Sequence, residues 1–270
     1  MQRIVAVNSN TYHGFPLEAA LRGIRQAGFQ YIELTATKGW TEHVFPTMSF
    51  AELWGIKEMI AESGLTPISL SGHCNLMDRQ RIGDFIDNIH LAAFFGCQYI
   101  ISSVGEAHLQ DKAKLSNEQA AQQIRELVPH LAASHLRLGL ENHGDHATGQ
   151  IIQEIVKLVQ SEQVMVNYDT GNVIYYGGLD PLPDLAACVD SVGHIHLKDK
   201  IGGLREWNFP ALGEGSVNFP AIFDLLDQSG NNCPLSIEIE FTGKGPASLE
   251  EVDQSVQKSF AYLKKIGLTF

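Results

Sequence analysis

Acidic residues and histidines gather in the second half of the chain, where four short segments each place one at the end of an apolar run. A buried strand that ends in a charged residue is how a barrel of alternating strands and helices presents side chains to one shared cavity. The segments, with a glycine-rich fifth, are GLENHG (139–144), NYDTGN (167–172), HIHLKD (194–199), SIEIEF (236–241) and LGEG (212–215). The candidates for one site are Glu141, Asp169, His196 and Glu238.

Two glutamates, one aspartate and one histidine form a plausible ligand set for one divalent cation. Oxygen donors with a single imidazole suit Mn²⁺, Mg²⁺, Co²⁺ or Zn²⁺ better than they suit a soft metal. Such a cation polarises a carbonyl or hydroxyl oxygen of a substrate and acidifies the neighbouring C–H bond, and nearby carboxylates can move the proton. Spacing alone also allows each carboxylate a purely structural role, in which it caps the following helix or pairs with a nearby lysine.

The elements that must position these residues alternate regularly along the chain. Apolar runs predict strands at 4–7, 31–34, 66–71, 98–102, 137–141, 164–169, 191–196 and 234–240. Amphipathic stretches, capping-box patterns and terminal glycines predict helices at 17–27, 49–63, 78–95, 116–134, 148–160, after 181, at 218–230 and at 248–266. Eight such units in 270 residues favour an α/β protein with one (β/α)8 TIM-barrel domain over residues 1–270. No GxGxxG motif follows the first strand, which weakens the case for an open nucleotide-binding sheet.

Composition restricts the class of protein and its partners. The chain has 19 Lys and Arg against 31 Asp and Glu, a net charge of -12 that argues against a nucleic-acid partner. A hydrophobic content of 44% and a mean hydropathy of -0.06 predict a soluble protein with a large core. The sequence has no run of 18 apolar residues and no apolar secretory signal at its start, so no membrane association is expected. Reduced cysteines in a cytoplasmic protein are expected, because no CxxC spacing joins Cys74, Cys97, Cys188 and Cys233.

The five segments, taken in order, resemble the xylose-isomerase-like TIM-barrel superfamily of sugar phosphate isomerases and epimerases. The resemblance spans nearly the whole chain and is clearest from residue 137 onward. It implies that one divalent metal is bound by Glu141, Asp169, His196 and Glu238. It further implies that Glu141 and Glu238 are the catalytic acid–base pair of a sugar, keto-sugar or cyclitol isomerase or epimerase. One glutamate removes a proton next to the carbonyl, the other returns it on the opposite face, and the metal holds the two oxygens of the enediolate.

Two other functions remain open within this resemblance. The same metal and base could eliminate water or a leaving group β to a carbonyl, as the inosose dehydratases of the superfamily do, or cleave a keto-glycoside. Alternatively, a non-catalytic barrel could bind a sugar or another protein, in which case the site would hold no metal or its carboxylates would pair with basic residues. For an isomerase or a lyase, the implied partner is a small carbohydrate substrate. Members of the family are often homo-oligomers.

Strand eight offers two glutamates as the fourth ligand. Glu238 and Glu240 are two residues apart, so both point to the barrel interior. Glu238 matches the Ile-Glu pattern of the family, whereas Glu240 lies nearer the end of the strand and is a candidate ligand or substrate contact. Asn172 stands where many sugar epimerases have a histidine that contacts substrate. An asparagine can hydrogen-bond a hydroxyl group but cannot act as a general acid near neutral pH.

Three further residues are candidate substrate contacts. His73 follows strand three, where relatives contact substrate or metal, and the alternative is a packed loop histidine. Lys198 could bind a hydroxyl, a carboxylate or a phosphate, and the alternative is a solvated loop lysine. Trp40, like Trp207, lies on a long loop and could stack on the apolar face of a sugar.

The remaining motifs point away from a role in catalysis. His194 is expected to be a buried, hydrogen-bonded neighbour of His196, and Trp54 fits the core face of a helix. The endonuclease IV branch of the superfamily carries extra His and Asp ligands for three metals, which ISSVGEA (101–107) and REWNFPA (205–211) lack. LGEG is not a P-loop, because no Lys-Ser/Thr follows it. Its backbone N–H groups could hold an anion, but a tight turn into the next helix is the simpler interpretation.

Overall fold

Eight parallel strands close into a barrel in a computed structural model of the protein, which describes residues 2–106, 109 and 113–270. The order around the barrel is β1-β2-β3-β4-β5-β6-β7-β9, and β8 and β10 form a separate antiparallel pair. The predicted TIM-barrel fold is therefore confirmed. The strands are β1 Val5–Asn8, β2 Tyr31–Thr35, β3 Thr66–Ser71, β4 Tyr99–Ser103, β5 Arg137–Glu141, β6 Val164–Asp169, β7 Val192–Leu197, β8 Asn208–Phe209, β9 Leu235–Ile237 and β10 Phe241–Thr242.

Helices surround the barrel on the outside and connect the strands. They are α1 Leu17–Ala27, α2 Phe50–Ser63, α3 Ile82–Phe95, α4 Asn117–Arg125, α5 Val128–Ala133, α6 Gly149–Val159, α7 Asn172–Gly177, α8 Pro181–Cys188, α9 Phe219–Gln228 and α10 Leu249–Lys265. Short 3-10 turns cover Ser9–Tyr12, Arg79–Arg81 and Val189–Ser191. The capping box predicted at Ser116 is present, and Ser49, predicted as a cap, also forms a complete box. The box predicted at Ser248 is half formed, because the Ser248 side chain accepts the N–H of Glu251 but the Glu251 carboxylate accepts the N–H of Ala247 instead of that of Ser248. Among the described residues, no helix combines the length and the apolar composition that crossing a membrane requires.

The predicted boundaries differ from the structure at three places. The single helix predicted over 116–134 is two helices, because Pro129 lies in the first turn of α5 and has no N–H to continue the ladder of α4. The last barrel strand ends at Ile237 and not at residue 240, because the chain then turns toward β8, where the Glu240 N–H donates to the Phe209 carbonyl. The short helix α7 and the strand pair of β8 and β10 were not predicted.

Apolar side chains from both faces of the strands build the core. In β6 all six residues are buried, as expected for a parallel strand covered on both sides. One interpretation of a core residue was wrong. Trp54 is 47% exposed on the outer face of α2, beside Phe50 and Phe94. Because α2 is apolar around much of its circumference, its local pattern could not tell which face packs inward.

All four cysteines are unpaired and buried. Burial raises the pKa of Cys74, Cys188 and Cys233 to about 12 and raises that of Cys97 as well. Because the thiolate is the reactive form, we expect the folded protein to react with Ellman's reagent many times more slowly than the denatured chain. The measurement is the rate of thiol release with and without guanidinium chloride. Rapid reaction of one cysteine in the folded protein would contradict this prediction.

The LGEG segment wraps around the buried carboxylate of Asp199. The N–H groups of Gly213 and Gly215 donate to its Oδ2 at 2.8 Å, and those of Lys200 and Val217 donate to its Oδ1 at 2.8 and 3.1 Å. An added Cβ at Gly215 would lie 2.2 Å from Oδ1, so glycine is required for this approach. The anion that these backbone groups hold is therefore a side chain of the protein itself.

Replacing Asp199 with asparagine should lower the free energy of unfolding by about 2–3 kcal/mol, because four N–H donors lose a charged acceptor and two of them face the NH2 group of the amide. Urea denaturation measures the change. Asp190→Asn, at an exposed position, is the matched control and should have little effect. Equal stability of the two variants would show that Asp199 does not organise the loop.

Candidate metal centre

The four predicted ligand residues meet at the carboxyl ends of neighbouring barrel strands. Glu141 and Asp169 end β5 and β6, His196 lies near the end of β7, and Glu238 directly follows β9. One donor atom of each residue lies within 4.8 Å of the donor atoms of the other three. All four side chains are buried, with Glu238 the most exposed at 5%. The barrel therefore gathers three carboxylates and one imidazole in a space that water barely reaches.

Asp169 combines the two roles that its position in the sequence left open. Its Oδ1 accepts hydrogen bonds from the N–H groups of Gly171 and Asn172, both at 2.8 Å, and so holds the start of α7. Within the part of the chain that the structure describes, its Oδ2 has no partner of hydrogen-bonding geometry, although the Lys198 ammonium lies 3.3 Å away. A helix-capping role thus occupies one oxygen and leaves the second directed at the centre.

His196 is oriented by Glu33, a residue that we did not predict as part of the site. The distance from His196 Nε2 to Glu33 Oε1 is 2.9 Å, and both side chains are fully buried. Burial alone would raise the pKa of Glu33, but the adjacent imidazole of His196 lowers it below its usual value. Because its Nε2–H is donated to this carboxylate, His196 presents Nδ1 to the centre. Nδ1 lies 2.5 Å from Glu141 Oε1, but the described residues provide no hydrogen bond to it. A carboxylate behind a histidine is a frequent support of a metal ligand.

Glu33→Gln should weaken the binding of a divalent metal about 10–100-fold while leaving the site able to fill at high metal concentration, because the four donors remain and only the support of His196 changes. Calorimetric titration with Mn²⁺ or Zn²⁺ measures the affinity. Glu162→Gln changes an exposed glutamate and serves as the control. Unchanged affinity in Glu33→Gln would contradict the supporting role.

The two glutamates that follow β9 occupy different surroundings. Glu238 Oε1 accepts hydrogen bonds from Asn8 at 3.0 Å and Asn10 at 3.1 Å, and its Oε2 lies 2.7 Å from Lys198 Nζ. Glu240 lies outside the group of four donors and contacts Lys198 at 2.9 Å and Asn10 at 3.2 Å. Of the two alternatives in SIEIE, the structure therefore brings Glu238 to the centre and leaves Glu240 at its edge.

The centre carries more buried negative charge than its own cations balance. Among the described residues, its carboxylates face one ammonium group, that of Lys198, and the imidazole of His196. Burial lowers the pKa of the two other nearby histidines, to about 4 for His73 and about 3 for His194, so they add no positive charge near neutral pH. Burial, with repulsion from neighbouring carboxylates and against the attraction of Lys198, raises the pKa of Asp169 to about 7. Burial raises the pKa of Glu240 to about 7 as well. Uncompensated buried charge is costly, and a divalent cation would relieve it. Asp169 Oδ2 and His196 Nδ1, for which the described residues provide no hydrogen bond, are donors that fit such a cation.

The residues predicted to contact substrate surround the same centre. His73 Nε2 lies 3.8 Å from Glu141 Oε2, and burial lowers the pKa of this histidine to about 4. Because its Nδ1 accepts the N–H of Ser103, its Nε2–H faces the site. Asn172 Nδ2 lies 3.5 Å from Glu141 Oε2. Lys198 is buried and contacts three carboxylates, so it is not a solvated loop lysine.

Trp40 lies one contact further from the centre. Its Nε1–H donates to Asn10 Oδ1 at 2.9 Å, and its ring stacks on His13 at a centroid distance of 4.1 Å. Beside it, a cavity of about 540 Å³ opens to the surface and shares Asn10 and Glu240 with the centre. Trp207 lines the same cavity. Contact of Trp40 and Trp207 with a substrate stays a prediction.

Sequence reasoning missed the contribution of the first two strands. Asn8 Nδ2 bridges Glu33 Oε1 and Glu238 Oε1 at 2.8 and 3.0 Å, and Asn10 holds Glu238 and Glu240. One signal was available, since a glutamate within the apolar run YIELT must find a partner if the strand is buried. His194 lies as predicted, buried beside His196 with Nδ1 2.8 Å from Asn167 Oδ1.

Sequence comparison relates the chain to one family of barrels. The family described as "Xylose isomerase-like TIM barrel" matches residues 21–266. A curated inosose dehydratase from Clostridium perfringens is 25% identical over 181 residues, which is 59% of each chain. The rhizopine catabolism protein MocC of Rhizobium meliloti is 25% identical over 256 residues, covering 83% of this chain and 75% of that protein. The match thus spans about three fifths of the length of the first of these relatives.

Solved structures resemble the barrel over almost its entire length. A D-psicose 3-epimerase from Clostridium cellulolyticum, solved with D-tagatose, has a TM-score of 0.78 at 16% identity and covers 99% of this chain and 100% of its own. The IOLI protein with a bound zinc atom has a TM-score of 0.76 at 17% identity, with coverage of 100% and 99%. A Mycobacterium smegmatis barrel in complex with magnesium has a TM-score of 0.73 at 19% identity, with coverage of 98% and 97%. At these identities the likeness concerns the fold.

Proposed function

The chain belongs to the xylose isomerase-like TIM-barrel family, and on that basis we propose that it is a divalent-metal-dependent isomerase or epimerase of a sugar, keto-sugar or cyclitol. The observation that carries the proposal is the buried group of Glu141, Asp169, His196 and Glu238, whose donor atoms lie within 4.8 Å of one another. These four residues would hold the cation. When bound, the cation polarises the substrate carbonyl and makes the neighbouring C–H bond more acidic.

Glu238 and Glu141 are proposed to move the proton, because their surroundings shift their pKa values in opposite directions. Burial alone would raise the pKa of Glu238, but Lys198 and His196 hold it below its usual range, which keeps the carboxylate ionised and open to a proton. Burial raises the pKa of Glu141 against the opposing effect of His196, which suits an acid. Environments that separate two carboxyl pKa values in this way are typical of acid–base pairs. Glu238 would take the proton next to the carbonyl, and Glu141 would return one.

The surrounding residues are proposed to position the substrate. Glu141 and Glu238 come from strands separated by β6 and β7 in the barrel, so a substrate at the centre would have one glutamate toward each side. Lys198, with its ammonium beside Glu238 and Glu240, can donate to a substrate hydroxyl. The Nε2–H of His73 and the amide of Asn172 lie next to Glu141 and can do the same.

The named relatives support this class of chemistry. The structural neighbours include ketose 3-epimerases, and the curated relatives include inosose dehydratases, so a small carbohydrate is the expected substrate. Zinc and magnesium occur in two neighbours, which supports a divalent cation without selecting one.

Exchange of substrate hydrogen with solvent tests the proposal. The protein is loaded separately with Mn²⁺, Mg²⁺, Co²⁺ or Zn²⁺ and incubated with ketoses and inososes in deuterated water. We expect deuterium to appear on the carbon next to the carbonyl. We also expect an epimer or isomer that has the same molecular formula as the substrate apart from the deuterium. Absence of exchange with every metal, combined with absence of bound metal by elemental analysis, would overturn the proposal.

A metal-dependent dehydratase or lyase is the second candidate, favoured by the inosose dehydratases among the curated relatives. It would use the same proton abstraction and then expel a β-hydroxyl or a glycosidic leaving group. The same incubation separates the two functions, because a dehydratase produces a compound lighter by one water and a keto-glycoside lyase releases the second group. A product that keeps every carbon and oxygen atom of the substrate would exclude both.

A non-catalytic sugar-binding barrel is the third interpretation, and Lys198 is the observation that bears on it. This lysine contacts Asp169, Glu238 and Glu240, which is the pairing that such a barrel would show. Its ion pairs do not include Glu141, however, and no described residue donates a hydrogen bond to Asp169 Oδ2. We therefore favour a lysine that acts beside the cation and does not replace it.

A further inference from the structure

The side-chain amide of Asn10 joins the loop after β2 to the proposed base Glu238. Its Nδ2 donates to Glu238 Oε1 at 3.1 Å and to Glu240 Oε1 at 3.2 Å. Its Oδ1 accepts the hydroxyl of Thr41 at 2.7 Å and the indole N–H of Trp40 at 2.9 Å. Because an ionised carboxylate only accepts hydrogen bonds and an indole only donates them, the amide has one possible orientation, and both of its ends are bound in it.

Asn8 holds the same oxygen of Glu238 in the same manner. Its Oδ1 accepts the hydroxyl of Thr35 at 2.8 Å, and its Nδ2 donates to Glu238 Oε1 at 3.0 Å. Two amides therefore converge on Oε1. The other oxygen, Oε2, lies 2.7 Å from Lys198 Nζ and 3.7 Å from His196 Nδ1. Oε2 is thus the oxygen of Glu238 that faces the other members of the donor group.

The loop after β2 holds its two donors in fixed positions. The N–H of Thr37 donates to the Thr41 carbonyl at 2.9 Å, which closes the turn that carries Trp40. The Thr41 hydroxyl also accepts the Nδ1–H of His13 at 2.7 Å, because its own hydrogen is donated to Asn10. Thr41 is buried, and the Trp40 ring stacks on His13 at a centroid distance of 4.1 Å. The loop therefore presents two ordered donors to the amide.

We propose that Thr41 and Trp40 are positioning residues that hold Glu238 through the asparagine amide between them. They keep Oε2 as the oxygen that takes the substrate proton, a step that rests on the proposed function. In that step the C–H bond breaks, an O–H bond forms at Oε2, and the electron pair moves to the substrate carbonyl oxygen. An amide turned the other way would place its own oxygen against the carboxylate and repel it. Displacement of a reacting group by about 1 Å can lower a rate about 10²-fold.

Thr41→Val and Thr41→Ser test this role from outside the donor group. Valine keeps the shape of threonine and lacks the hydroxyl, whereas serine retains the hydroxyl. Solvent deuterium exchange is measured with metal-loaded protein and the ketose that exchanges fastest. Thr41→Val should lower kcat about tenfold and change KM less than about twofold, because one hydrogen bond to the amide is lost and the substrate contacts remain. Thr41→Ser should recover most of kcat. Thr66→Val, at an exposed position at the start of β3, is the matched control.

Trp40→Phe separates positioning of Glu238 from contact with the substrate. Phenylalanine keeps an aromatic ring beside His13 and removes the N–H that Asn10 accepts. Positioning predicts a lower kcat with little change in KM, and the double variant with Thr41→Val should lose about 10²-fold in kcat, because both donors are then absent. A raised KM with unchanged kcat would show that Trp40 contacts the substrate and would overturn its positioning role. Trp54→Phe, on the outer face of α2, is the control.

Calorimetric titration with Mn²⁺ gives a second measurement that does not require turnover, because Glu238 is also a proposed metal ligand. Thr41→Val should weaken Mn²⁺ binding about three- to tenfold, and Thr41→Ser should bind Mn²⁺ nearly as tightly as the unaltered protein. Thermal melting shows whether each variant folds. If Thr41→Val does not fold, Trp40→Phe decides the proposal.

The outcomes distinguish the positioning role from the function on which it rests. Equal kcat in the unaltered protein, Thr41→Val and Trp40→Phe would overturn the positioning role and leave the isomerase intact. If no ketose exchanges, the proposed function fails and the Mn²⁺ affinities decide the positioning role. A loss of affinity in Thr41→Val that Thr41→Ser does not show would still support it, and equal affinities would overturn it. Absence of both exchange and Mn²⁺ binding in the unaltered protein would overturn both proposals.

Discussion

Glu238→Gln should lower the rate of solvent deuterium exchange about 10²–10⁴-fold, the usual contribution of a positioned general base. The carboxylate of Glu238 is held by two asparagines on one oxygen and by Lys198 on the other. Glutamine keeps this shape, so the substrate still enters, but the amide cannot accept a proton. The loss should therefore fall on kcat, with a smaller change in KM. Glu141→Gln should reduce turnover to a similar extent, because no acid then returns the proton.

Two comparisons make this result specific. Glu126→Gln, which removes a glutamate from a surface ion pair with Arg79, should leave exchange unchanged. Elemental analysis of each variant is required, because glutamine is also a weaker metal ligand. A Glu238→Gln protein that retains both its metal and its full exchange rate would contradict the assigned role. If metal is lost with activity, saturation with excess metal should restore binding but not turnover.

His196→Ala should abolish tight metal binding, from about one divalent ion per chain to a small fraction of that. His196 supplies the sole imidazole of the donor group, and its removal leaves three buried carboxylates and takes from Glu33 one of its partners, while Asn8 and Ser69 remain. A metal that binds only the folded protein stabilises the fold, so the loss of a ligand residue also reduces the stabilisation that added metal provides. The measurements are metal content after dialysis and the shift of the melting temperature on metal addition.

A second variant covers the case in which His196→Ala does not fold. His196→Gln retains volume and hydrogen bonding, and should bind metal less tightly than the unaltered protein while melting close to it. His135→Ala, outside the barrel, is the matched control. Full metal content in both His196 variants would show that the imidazole is not a ligand. Three metals per chain in the unaltered protein would instead revive the endonuclease-like interpretation.

The position of Glu33 shows why part of the site could not be predicted. Glu33 and His196 are 163 residues apart, and their contact exists only because the barrel closes and carries β1 and β2 next to β9 and β7. The same closure brings Asn8 to Glu238 across 230 residues. In the sequence, Glu33 is one acid within a short strand, and Asn8 is one polar residue before a loop. Neither residue carries a local signal that names its partner.

Local order along the chain by itself determined the barrel and the four candidate ligands. Apolar runs that end in Glu141, Asp169 and His196 identify strand ends, and parallel strand ends in a closed barrel share one face. Tertiary structure alone decided which oxygen of Asp169 faces the centre, that Glu238 and not Glu240 joins the donor group, and that Lys198 lies among the carboxylates. The physical reason is that the position of a residue along a strand specifies the side of the sheet to which its side chain points. The contacts at the end of that strand depend on other strands that are distant in sequence.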